Sequence, residues 1–227
     1  MPFDPAKVQA LLFDVDGTLA DTDDAYIARV AGLLRPVSFL FPRRDPRPFL
    51  RWALMTSESP LNTLMGLPDF LGIDDEFVAF TNWLSDVRGH KPAERFVLMA
   101  EVEPMLRQLA QRYPLAVVTA RSERSINLFL DQFRLRPYFK AVASAQTAEH
   151  TKPYPHPVVW AARALGVPVE NCVMIGDTTV DILAGRRAGA QTVGVLCGFG
   201  ERAELEHKGA DLILERTAEL AGVLPKN

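Results

Sequence analysis

After Lys91-Pro92 the apolar residues fall alternately at helical spacing and in short unbroken runs, the signature of a parallel sheet whose strands are joined by crossover helices. Val102, Met105, Leu106 and Leu109 share one predicted helix face, and Ile126, Phe129, Leu130 and Phe133 share the next. Between them Leu115 to Thr119 reads as a buried strand. The pattern then repeats: Ala141 to Ala143 as a short strand, Pro157 to Leu165 as a helix stopped by Gly166, and Cys172 to Ile175 as a strand. Val180, Leu183, Ala184 and Ala188 mark a helix ending at Gly189, and Gln191 to Leu196 and Asp211 to Leu214 are the last strands. With Val8 to Phe13 at the N-terminus this predicts an α/β fold of about six parallel strands, doubly wound in the Rossmann-like manner.

The stretch from Asp21 to His90 breaks the alternation. Ile73, Phe77, Phe80, Leu84 and Val87 lie at helix spacing and no convincing strand is present, so the simplest expectation is an all-helical insertion directly after the first strand. The core would then comprise residues 1–20 and 92–227, with a helical cap over 21–91 hinged at Asp21-Thr22 and Lys91-Pro92. An insert at that point overhangs the carboxyl ends of the strands, where open parallel sheets bind ligands.

Composition narrows the setting without naming a function. The 227 residues carry a net charge of -3, which offers no bulk attraction to nucleic acid or to an anionic membrane. No apolar stretch approaches the ~20 residues that span a bilayer, and Met1 to Val8 lacks the basic start and apolar run of a secretory signal. A cytoplasmic protein, monomer or dimer, is expected. Cys172 and Cys197 sit in strand-like segments and read as small buried hydrophobes rather than a disulfide.

Candidate chemistry begins where the first strand ends. Leu11-Leu12-Phe13-Asp14-Val15-Asp16-Gly17-Thr18 places two carboxylates, one residue apart, just beyond an apolar run that expels charge. If the extended geometry continues, Asp14 and Asp16 face one locus, one suited to attack an electrophile and the other to move protons. Gly17 permits a sharp turn, and the Thr18 hydroxyl is available to the turn's backbone groups. By itself the run is equally readable as an acidic Asp-Gly loop.

The other predicted strand ends add to it. The second ends in Thr119, Lys152 precedes a helix after the third, and the fourth ends in Gly176-Asp177 with Asp181 one helical turn on. Each has a plain structural reading as well: Thr119 as a cap for a helix near Ser122, Lys152 as a solvated lysine, Asp177 and Asp181 as helix-start acids. Taken in order, Asp14-Val15-Asp16-Gly17-Thr18-Leu19, Thr119, Lys152-Pro153-Tyr154-Pro155 and Gly176-Asp177-Thr178-Thr179-Val180-Asp181 resemble the four motifs of the haloacid dehalogenase superfamily. The resemblance is to its phosphoglycolate-phosphatase-like branch, strong over the core and weak over the insertion.

That resemblance implies a Mg2+-dependent phosphatase acting on a small phosphorylated metabolite. Asp14 would attack phosphorus to give an aspartyl-phosphate, and Asp16 would protonate the leaving oxygen and later activate water. Asp14, Asp177 and the Asp16 backbone carbonyl would hold the metal. Thr119, the Ala120 N–H and Lys152 would hold the phosphoryl oxygens, and Asp181 would orient metal-bound water or Lys152. It also implies that the Asp14 and Asp177 strands are neighbours, with the Thr119 strand on the other flank.

The acid at position 16 favours phosphoryl transfer over carbon-halogen cleavage, which needs no protonated leaving group. The absence of lysine between Asp21 and His90 argues against an imine-forming phosphonatase. A phosphomutase of the same family, and a non-catalytic phosphometabolite-binding protein, remain as alternatives. Ala120-Arg121 departs from the Asn that many relatives carry after the second-motif Thr. Arg121 is expected to project into solvent, the other reading being contact with an anionic leaving group. Arg43, Arg44, Arg47 and Arg51 read first as a solvated basic loop and second as an anion clamp. Phe49, Trp52, Phe80 and Trp83 read as cap core, and His90, His150 and His156 carry no assigned chemistry.

Overall fold

The computed structural model describes residues 2–21 and 96–225. The expected cap helices, the Arg43–Arg51 loop, the four cap aromatics, His90 and the Lys91-Pro92 hinge lie outside those residues.

Six strands form one parallel sheet: β1 (Ala10–Phe13), β2 (Leu115–Val118), β3 (Phe139–Ala143), β4 (Cys172–Gly176), β5 (Gln191–Val195) and β6 (Leu212–Leu214). Their order is β3-β2-β1-β4-β5-β6. The described helices are α1 (Val102–Leu109), α2 (Glu123–Gln132), α3 (His156–Leu165), α4 (Thr179–Ala188), α5 (Arg202–Lys208) and α6 (Leu220–Val223). This is the doubly wound architecture the alternation predicts. The chain lays β2 and β3 on one side of β1, then returns to lay β4, β5 and β6 on the other. The crevice where the order reverses therefore lies between β1 and β4.

Strand alternation divides the interior in two. Leu11 and Phe13 of β1, Leu115 and Val117 of β2, and Val173 and Ile175 of β4 pack with α1 and α2. Ala10, Leu12, Ala116, Val118, Cys172 and Met174 face the opposite way, against Val158, Ala161 and Ala162 of α3 and Ala184 of α4. Every residue of β1, β2 and β4 is buried, which accounts for their unbroken apolar runs.

Helix limits follow local chemistry. Ser122 caps α2 by accepting from the Ser125 N–H at 3.3 Å, so Ser122 and not Thr119 fills that role. The α3 and α4 helices close on Gly166 and Gly189, both left-handed. The buried side of α4 is Val180, Asp181, Ile182, Ala184 and Gly185, rotated from the predicted face because Gly185 lets the helix sit directly on Met174 and Thr192. No expectation covered α5 or α6; α5 buries only Leu205 and α6 only Leu220, too little for a readable period.

Just past β1 the chain makes a neck. Ala20 pairs antiparallel with Leu98, the Asp21 N–H donates to the Val97 carbonyl at 2.8 Å, and the Met99 N–H donates to the Leu19 carbonyl at 3.0 Å. Asp21 and Val97, which flank residues 22–95 in the chain, are thus side by side. Among the described residues no helix is long and apolar enough to cross a membrane.

Candidate active site

Asp14 follows β1 in the parity of Leu12, on the side of α3 and α4. Those helices bring the partners: Lys152 precedes α3 and Asp181 lies in the first turn of α4. The Lys152 ammonium donates to Asp14 Oδ1 and to Asp181 Oδ1, each at 2.6 Å, with all three side chains more than nine-tenths buried. The second Asp181 oxygen accepts from the Thr178 N–H at 3.1 Å and the Thr178 hydroxyl at 2.7 Å, so one residue both braces its helix and fixes Lys152. Gly176 makes room for it, since a Cβ there would strike the Asp181 carboxylate.

Asp177, fully buried at the end of β4, is the neighbour across the crevice. Its Oδ1 accepts from the Thr18 hydroxyl at 3.3 Å and its Oδ2 from the Phe199 N–H at 2.8 Å. The Thr18 hydroxyl therefore serves Asp177 and not the turn's backbone, as the turn is already closed by bonds to the Val15 carbonyl. A Cβ at Gly17 or Gly198 would collide with the Asp177 carboxylate, and one at Gly200 with its backbone carbonyl. Gly17 also turns with φ +68, the conformation its place in the motif requires.

Carboxylate oxygens of Asp14, Asp177 and Asp181 all lie within 4.8 Å of one another. Among the described residues three carboxylates face the Lys152 ammonium in a water-poor space, and the donors are all hard oxygens. That set fits a divalent cation of the Mg2+ kind better than a soft metal. Burial raises the Asp14 pKa well above the carboxylate range; Lys152 pulls it back, while Asp181 and Asp16 push it further. Burial alone would strip the proton from Lys152, but Asp14 and Asp181 together outweigh it and hold the ammonium. The reading of Lys152 as a solvated lysine is thereby overturned.

Asp14 and Asp16 both lie beyond the strand, with Asp16 near enough to push the Asp14 pKa up. The strand ends at Phe13, and the Asp16 carboxylate turns to Arg121, accepting from Nε at 2.7 Å and from one terminal nitrogen at 2.5 Å. The expectation that Arg121 projects into solvent is corrected by the same bonds. Its other terminal nitrogen donates to Ser125 Oγ at 2.9 Å, and its plane lies 4.8 Å from the centre of the Phe96 ring. Thr119, buried at the end of β2, accepts from the Arg121 N–H at 3.1 Å. Ala120 lies between them in the chain.

A family model described as haloacid dehalogenase-like hydrolase matches residues 11–195. The chain belongs to this family. It is 29% identical over 222 residues to "Pyrophosphatase PpaX" of Anoxybacillus flavithermus, covering 96% of this chain and 97% of that protein. Among solved structures it resembles a predicted phosphoglycolate phosphatase from Haemophilus somnus, with TM-score 0.71, 22% identity and coverage of 96% and 98%. It also resembles a subfamily IA hydrolase of the superfamily from Geobacter sulfurreducens, with TM-score 0.63, 22% identity and coverage of 96% and 97%. At those identities the structural likeness shows the fold.

Two contributors have no counterpart in the reading of the sequence, and Thr18 has a different partner there. The Thr18 hydroxyl, the Phe199 N–H and the Gly198 to Gly200 loop all serve Asp177, and the Gly-Phe-Gly run shortly after a strand is the available signal. His150 and His156, left without chemistry, pack against each other with ring centres 5.0 Å apart, and His150 lies 4.9 Å from Tyr154. Cys172 opens β4, whereas Cys197 falls two residues past β5; both thiols are free.

Proposed function

We propose that this hydrolase is a Mg2+-dependent phosphatase that acts on a small phosphorylated metabolite through an aspartyl-phosphate at Asp14. The observation that carries the reading is the buried Lys152 ammonium spanning Asp14 and Asp181 beside Asp177. Such a cluster of opposed charges is costly to bury unless it serves a ligand of matching charge.

Asp14 and Asp177, with the Asp16 backbone carbonyl, would hold Mg2+, which neutralises the acids and polarises the phosphoryl oxygens. A carboxylate oxygen of Asp14 attacks phosphorus in line, and the bond from phosphorus to the leaving oxygen breaks. Asp16 delivers a proton to that oxygen. It then takes a proton from the water that attacks phosphorus, and the bond from phosphorus to the Asp14 oxygen breaks to release phosphate. The Thr119 hydroxyl, the Ala120 N–H and the Lys152 ammonium hold the equatorial oxygens as their charge grows. Asp181 keeps Lys152 aimed at Asp14. Residues 21–91 act as the cap that selects the substrate, and the pyrophosphatase named among the relatives places phosphoanhydrides beside monoesters as substrates to test.

The test is phosphate release from phosphoglycolate, sugar phosphates, nucleotides and pyrophosphate, with Mg2+ and with chelator. Asp14→Asn should lower turnover by about 10⁴-fold or more and abolish the phosphorylated protein trapped on rapid acid quench. Full turnover by this variant would exclude the covalent route.

A further inference from the structure

Arg121 is held from four directions in the described structure. Two nitrogens grip both oxygens of Asp16, a third donates to the buried Ser125 hydroxyl, the Phe96 ring covers one face, and the backbone N–H is tied to Thr119. Phe96 is itself buried and set edge-on to Phe129, with ring centres 5.5 Å apart. Fixing so long a side chain in one geometry costs rotamer entropy that these contacts offset and solvent alone would not. The side chain retains 19% exposure and that of Asp16 35%, whereas Asp14, Lys152 and Asp181 are each at 7% or less. The pair thus stands at the open rim of an otherwise closed cluster.

Resting on the phosphatase reading, that rim is the leaving-group side of phosphorus. Asp16 must reach the leaving oxygen, so a guanidinium gripping Asp16 lies where the rest of the leaving group passes. We infer that Arg121 is a specificity-determining residue that exchanges Asp16 for an anionic group carried on the leaving group. The substrates it selects are small phosphate esters or anhydrides whose leaving group bears its own carboxylate or phosphate.

The exchange is balanced in charge, one anion replacing another on the same fork, and that fork fits carboxylate and phosphate equally well. It also uncouples Asp16 from Arg121 only when such a substrate is bound. With an uncharged leaving group both Asp16 oxygens stay committed as acceptors.

The experiment measures kcat/KM for phosphoglycolate against ethyl phosphate and for pyrophosphate against methyl phosphate, in the wild-type chain, Arg121→Met and Arg121→Lys, with p-nitrophenyl phosphate as a chromogenic reference. Wild type should prefer the substrates with a second anion, and Arg121→Met should shrink the preference by about 10²-fold. Arg121→Lys should recover part of it, as a point charge without the fork. Which ratio collapses identifies carboxylate or phosphate as the group bound. Calorimetry supplies a readout apart from turnover: Arg121→Met should weaken methylenediphosphonate but not methylphosphonate.

Equal losses on both members of each pair, or unchanged diphosphonate affinity, would overturn the inference while leaving the phosphatase intact. Absence of turnover by wild type on every substrate would instead defeat the phosphatase reading, and the diphosphonate titration would still decide the anion site. If Arg121→Met does not fold, Arg121→Lys carries both measurements.

Discussion

Replacing Lys152 by Met removes the one ammonium found between Asp14 and Asp181 and keeps most of the side chain's volume. Each contact spans 2.6 Å. At an effective dielectric constant of about 20 that is about 6 kcal/mol of attraction apiece before desolvation. Stripping water from the ions cancels most of it, and truncating one member of a buried pair costs about 3–5 kcal/mol in net stability. For a chain of this size the melting temperature should fall by about 6–20 °C, measured in chelator at pH 7. The pH dependence has a definite sign. Asp14 is already raised by burial, and losing Lys152 removes the attraction that opposes the rise. Its folded pKa then lies further above its unfolded value, so the folded state binds the extra proton. The stability this contributes is lost as pH climbs through the folded pKa and returns as pH falls toward the unfolded one. The deficit of the variant should therefore narrow between pH 7 and pH 5, and Mg2+ should narrow it at pH 7. A variant within about 1 kcal/mol of wild type in chelator at both pH values would refute the claim that Lys152 compensates the buried acids.

Two further outcomes concern residues outside the motifs. Gly198→Ala puts a methyl group into the Asp177 carboxylate; it should weaken Mg2+ binding by about 10-fold or more in a calorimetric titration, while a solvent-exposed control such as Gly166→Asn should not. Burial, aided by Glu170, pushes the Cys172 thiol up to about 11, and burial also raises Cys197. Both should therefore resist iodoacetamide at pH 8 in the folded protein and react in denaturant, with intact-mass spectrometry as the measure.

How much the sequence disclosed depended on whether a property was periodic or relational. Strands β1, β2 and β4 lie buried on both faces, so their apolar runs announced them directly. Helix α4 misled because its buried side holds Asp181 and Gly185, which hydropathy does not mark as interior: the acid is there for Lys152 and the glycine for contact with Met174 and Thr192. Asp14 and Asp177 stand at strand ends, Lys152 before a helix and Asp181 in a helix's first turn, and the parallel sheet brings such positions to one edge whatever their separation in sequence. Arg121 reads as solvent-facing because its partner, Asp16, is 105 residues away and no local pattern links them. Thr18 reads as a group of its own turn for the same reason, its partner Asp177 being 159 residues distant.

The antiparallel neck at Leu19 to Asp21 and Val97 to Met99 has an evolutionary and practical consequence. Because the chain departs from and returns to the sheet at adjacent hydrogen-bonded positions, residues 22–95 can lengthen, shorten or be exchanged without moving β1 relative to β2. On the proposed reading of this insert as the substrate-selecting cap, substrate choice and reaction chemistry can then diversify separately. A chimera joined at Asp21 and Phe96 is accordingly the natural place to graft a foreign recognition module onto this catalytic frame.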